Sequence, residues 1–87
     1  MANSRQQRKR VRTAARERLE NLRYRSTVKT LTRRLQATVA EGDEAGAAEQ
    51  HRTLVRWIDR AASKGALHRN AAARKKAQAA KLHPGSR

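Results

Sequence analysis

Cysteine and phenylalanine are absent from this sequence, and only two aromatic side chains occur, Tyr24 and Trp57. Without cysteine there is no disulfide framework and no thiolate metal site. Two aromatics are too few for the RNA modules that stack bases on a sheet. Acids are scarce: seven Asp and Glu face 22 Lys and Arg. They are scattered along helix-forming stretches, no Gly-rich phosphate loop follows a strand, and no serine has a plausible His and Asp setting. The sequence therefore proposes no enzyme, no cofactor and no small-molecule substrate. No apolar run reaches the length of a signal peptide or a membrane span, so the expectation is a soluble, intracellular chain without a membrane partner.

What the chain does have is positive charge, +15 on 87 residues. Such a chain repels itself when compact and makes physical sense beside a polyanion. Nucleic acid is the first candidate and an anionic membrane the second. A membrane-active helix needs a continuous apolar face, which Leu22 to Tyr24 interrupts. The three histidines form no i, i+4 pair, so no metal site is expected. His51, on the apolar side of a helix, suits a half-buried core position, and His68, beside a turn, suits a phosphate or base contact.

No Gly or Pro falls between Asn3 and Glu41, and most residues there are good helix formers, with Ser4 placed as an N-cap. The pattern predicts a first helix over about 4–41. Tyr24, Val28, Leu31, Leu35 and Val39 recur at helical spacing and mark its packed stretch. Val11, Ala15, Leu19 and Leu22 form a second stripe on roughly the opposite side. One partner helix cannot cover both, so the first half reads as an overhanging arm whose apolar residues fold over the bundle's end or touch a partner. Arg5, Arg8, Lys9, Arg10, Arg12, Arg16, Arg18, Arg23 and Arg25 point in nearly every direction. That arrangement suits phosphate on several sides, with the arm poorly helical when free and helical when bound.

Gly42-Asp43 ends the first helix and caps a second over about 43–63, whose first turn Gly46 weakens. Ala47, Ala48, His51, Leu54, Val55, Ile58, Ala61 and Ala62 lie on one side of it. Gly65, preceded by Lys64, closes it. An alanine-rich third helix follows over about 68–81, with a frayed tail at 82–87. Residues 1–41 carry twelve cations and three anions, residues 43–62 three cations and four anions, and residues 63–87 seven cations and no anion. The middle helix is thus the one least suited to face a polyanion. The expected architecture is all-α, a single domain over 1–87: a three-helix bundle with a long basic N-terminal helix extending beyond it. Eleven bulky apolar residues from Tyr24 to Leu82 make a thin core, Trp57 filling space at its edge, so a bound partner should supply much of the stability.

The run Ile58-Asp59-Arg60-Ala61-Ala62-Ser63-Lys64-Gly65-Ala66-Leu67-His68-Arg69-Asn70-Ala71-Ala72-Ala73-Arg74-Lys75-Lys76 closely resembles the signature of bacterial small-subunit ribosomal protein S20. Met1-Ala2-Asn3, Arg8-Lys9-Arg10, Arg25-Ser26, Val28-Lys29-Thr30 and Glu41-Gly42-Asp43 are also similar to that family. The resemblance implies a cytoplasmic ribosomal protein that binds 16S ribosomal RNA directly, early in small-subunit assembly, with few or no protein contacts. It implies RNA contacts from the basic arm, Lys29, Lys64, His68, Arg69, Asn70, Arg74, Lys75 and Lys76. The chain departs from the family pattern at Glu20 and Leu22, where cations are usual, at Trp57, and at the short end Leu82-His83-Pro84-Gly85. The rival reading is a nucleoid-type protein that compacts DNA, also basic and helical.

Overall fold

A computed structural model describes the backbone of residues 3–83, with side chains from Gln6 onward. Three helices follow in order: α1 (Asn3–Ala40), α2 (Glu44–Ser63) and α3 (Arg69–Leu82). The three-helix bundle with an overhanging first helix is the architecture expected. The differences lie at the ends. Ser4 falls inside α1 rather than before it. Asp43 caps α2 as expected, with Glu44 its first helical residue, while His68 is the N-cap of α3 rather than its first residue. α1 stops at Ala40, and Leu82 completes α3 and packs on the core, so it is not part of a tail. The remainder of the expected tail, 84–87, lies outside the described residues.

Both reversals use the same device. Gly42 and Gly65 each take φ of 79°, the left-handed region that a side chain disfavours. At the first turn the Gly42 amide donates to the Val39 carbonyl (3.1 Å) and the Asp43 amide to Thr38 (3.3 Å). At the second, Gly65 donates to Ala62 (3.1 Å) and Ala66 to Ala61 (2.8 Å). Carbonyls left over at each helix end are thereby satisfied. Asp43 then caps α2, its Oδ1 accepting from the Gly46 amide at 3.0 Å. A Cβ on residue 46 would collide with that carboxylate, so Gly46, which weakens the turn by propensity, is what leaves room for the cap.

The helices share one core. Val28 and Leu35 from α1 and Leu54 and Ile58 from α2 are fully buried, joined by Ala47, Ala61, Ala72 and Ala79. α3 contributes only alanines to the fully buried set and rests mainly on α2. One expected core position fails. Val39 is exposed, and Thr38 is buried instead. From Val28 the buried face steps by three, four and three residues to Leu31, Leu35 and Thr38, because a straight helix turns every 3.6 residues and a repeated step of four drifts off the face. The Thr38 oxygen lies 2.9 Å from the Arg34 carbonyl and 2.8 Å from the Gln50 side-chain amide. Both partners are acceptor oxygens, the Arg34 carbonyl and Gln50 Oε1, so the one hydroxyl proton of Thr38 is shared between them and this buried hydroxyl is satisfied.

Beyond the core, α1 runs on alone. Every described side chain from Gln6 to Glu20 is exposed, including Val11, Ala15 and Leu19, and none folds over the bundle's end. The molecule measures 63 × 21 × 13 Å, its length set by this helix.

Candidate nucleic-acid interface

The arm carries Arg8, Lys9, Arg10, Arg12, Arg16 and Arg18, all exposed. At 100° per residue these cations surround the axis rather than share one face. α1 has no acid in its first turn, so no carboxylate there offsets the positive helix end. The side chain of Arg5 lies outside the described residues.

Where α1 enters the bundle, Arg25 and Lys29 stand one turn apart and meet α3. A groove between the two helices is lined by Arg25, Lys29, Thr32, Arg33, Gln36, Leu67, Lys75 and Gln78. Four of those side chains are cations and none is an acid, so their fields add within the groove. Alanine makes this convergence possible, since Ala72 and Ala79 let α3 settle close to its neighbours. Arg33 is the residue that sequence reasoning missed. A signal for it exists in the chain: positions 25, 29 and 33 follow one another at four-residue steps on a single face.

The remaining predicted residues divide by circumstance. Arg69, Asn70 and Arg74 are exposed on α3. Arg23 and Lys64 stand apart from the α1–α3 groove, at a second hollow beside Tyr24 and Trp57. His68 serves its own helix, since its Nδ1 accepts from the Asn70 amide at 3.1 Å and so caps α3. That bond puts the ring proton on Nε2, which leaves one outward donor. Lys76 is already paired, its Nζ 2.7 Å from Asp59 Oδ1, the one ion pair among the described residues. His51 is half-buried, its ring 6.3 Å from that of His83. Burial, and then the positive charge of His83, push its pKa below the usual 6.5.

The acids are distributed to suit. α2 holds Glu44, Glu49 and Asp59 and follows the Asp43 cap, whereas α3 has no acid at all. The arrangement therefore offers two cationic elements, joined through a rod of nearly balanced charge, to an extended polyanion.

Comparison with known proteins shows the family of the chain. The family profile described as ribosomal protein S20 matches residues 2–83. The chain is similar to the small ribosomal subunit protein bS20 of Kocuria rhizophila, 48% identical over 81 residues, covering 93% of this chain and 94% of that protein. It is 45% identical over 82 residues to the bS20 of Corynebacterium kroppenstedtii, covering 94% of each. The bS20 of Alcanivorax borkumensis is 42% identical over 78 residues, covering 90% of this chain and 89% of that protein. No solved structure matches significantly.

Proposed function

Because this chain belongs to the ribosomal protein S20 family, we propose that it is a non-catalytic constituent of the small ribosomal subunit that binds 16S ribosomal RNA directly and aids subunit assembly. Its place is the cytoplasm, within the ribosome. The observation that carries the reading is the lack of internal neutralisation: a single ion pair occurs among the described residues of a chain with net charge +15. The exposed cations await phosphate. On this reading Arg5, Arg8, Lys9, Arg10, Arg12, Arg16 and Arg18 line the arm against RNA. Arg23, Arg25, Lys29 and Arg33 continue the contact along α1, and Lys64, His68, Arg69, Asn70, Arg74, Lys75 and Lys76 supply it from the second turn and α3. Arginine predominates on the arm, and its planar fork bridges two phosphate oxygens.

Charge alone binds any nucleic acid, so discrimination comes from shape. A rigid bundle with a projecting rod fits where RNA helices stand at fixed angles, and regular duplex DNA does not present that surface. The test is binding of the full chain to a 16S rRNA transcript and to random duplex DNA at matched salt. With about eight phosphates met, affinity for the transcript should fall with a log–log salt slope of roughly −6 to −7. Replacing Arg33 or Lys75 by Gln should reduce the magnitude of that slope by about one each. Equal affinity for duplex DNA would reject ribosomal RNA in favour of a nucleoid protein.

A further inference from the structure

The only two aromatic residues of the chain are brought together. Tyr24 of α1 and Trp57 of α2 lie with ring centroids 5.8 Å apart, their planes tilted by 54°. They form a wall of an open groove of about 720 Å³, with Leu22 beside them. Arg23 and Lys64 line the same groove, and Glu20 is its one acid. The Arg60 guanidinium, 5.4 Å from the Trp57 ring centroid, braces the indole. Both rings pack on the edge of the core, but they are only half-buried, and the surface they leave open lines a hollow large enough for a nucleoside.

The lining sorts by chemistry. Two flat π surfaces and a leucine favour an apolar, planar occupant. The two cations favour flanking negative charge. Glu20 argues against phosphate inside the groove, because a carboxylate repels it, but it accepts from the N–H edge of a base. A phosphate-only contact would need none of the aromatic surface. We propose that this groove receives one unpaired RNA base, stacked on the Trp57 ring with the tilted Tyr24 ring at its edge, and with its neighbouring phosphates on Arg23 and Lys64. The inference rests on the RNA-binding reading above and adds to it a contact made with a base rather than with the backbone. Stacking of this kind tolerates any base, since each has a π face.

Trp57 is the only tryptophan, so its emission reports the groove directly. The full chain is titrated with a short oligoadenylate, with an abasic ribose-phosphate oligomer of equal charge, and with a 16S rRNA transcript. Oligoadenylate and the transcript should quench Trp57, and the abasic oligomer should bind without quenching. Trp57→Leu, which keeps apolar volume but removes the flat ring, should weaken oligoadenylate binding by about 5- to 150-fold and leave abasic binding unchanged. Should that variant unfold, the quenching contrast in the native chain decides alone. Equal quenching by both oligomers, or a transcript that binds tightly without dimming Trp57, overturns the base site while leaving ribosomal RNA binding intact. A transcript that binds no better than duplex DNA overturns the RNA reading itself.

Discussion

Lys76 of α3 and Asp59 of α2 are joined by an ion pair of 2.7 Å, although Lys76 lies in the basic run Arg74-Lys75-Lys76. Both side chains are substantially exposed, at 42% and 56%, so the pair contributes at most about 1 kcal/mol to stability. Its larger effect is on the availability of charge. Lys76 is partly neutralised within the chain, whereas Lys75 faces the α1–α3 groove unpaired. Lys75→Ala should therefore weaken binding to a 16S transcript more than Lys76→Ala does. Filter binding across a salt series checks this, and a larger loss from Lys76→Ala would contradict it.

The two left-handed glycines make a prediction free of packing effects. A Cβ at residue 42 or 65 would meet nothing within 4 Å, so only backbone strain opposes it. Gly42→Ala and Gly65→Ala should each destabilise the fold by about 1–2 kcal/mol. Gly65→Asn should cost less, because Asn tolerates this conformation better. Urea denaturation measures all three.

Leu35 is fully buried in a core with few bulky members. Leu35→Ala should cost about 2–5 kcal/mol. Such a loss rivals the roughly 3–5 kcal/mol that one core of this size supplies. The variant should be largely unfolded when free, and its thermal transition should recover on addition of a 16S transcript by linkage.

His51 gives stability a direction in pH. Burial and the charge of His83 lower its pKa in the folded chain below 6.5. Below the unfolded pKa the unfolded chain therefore binds more protons at this site than the folded one does. The contribution of neutral His51 is present above the unfolded pKa and is lost as pH falls toward the folded pKa. Melting temperature should fall on acidification from about pH 7.5 to about pH 5, through the ordinary imidazole range, and fall less in His51→Gln. An unchanged slope in the variant would remove His51 as the cause.

Among the described residues the side chains of the arm from Gln6 to Glu20 are all exposed, its first turn has no acid, and like charges stand a turn apart. Circular dichroism should show residues 6–22 less helical in the free chain than with 16S rRNA bound. A spectrum of equal helicity in both states would show that the arm holds its helix unaided.

Much of this fold is legible in the sequence because its signals are local. Helix breaks coincide with Gly42 and Gly65, and the buried face of α2 follows one apolar stripe from Ala47 to Ala62. The errors also have a local cause. A four-residue step from Leu35 points to Val39 as core, whereas helical geometry delivers Thr38, whose polar side chain disguises the position. Relationships across helices are not legible. Nothing in the linear order shows that Lys76 reaches Asp59, that Arg33 joins Lys75, or that Tyr24 meets Trp57. Glu20, Leu22 and Trp57, scattered departures from the family pattern in the sequence, turn out to border one hollow.

The smallness of Ala72 and Ala79 has an electrical meaning as well as a steric one. Interhelix distance here fixes the pitch at which two rows of ammonium and guanidinium groups are displayed. Enlarging either methyl to isobutyl would prise α3 outward and retune that spacing without removing a single charge.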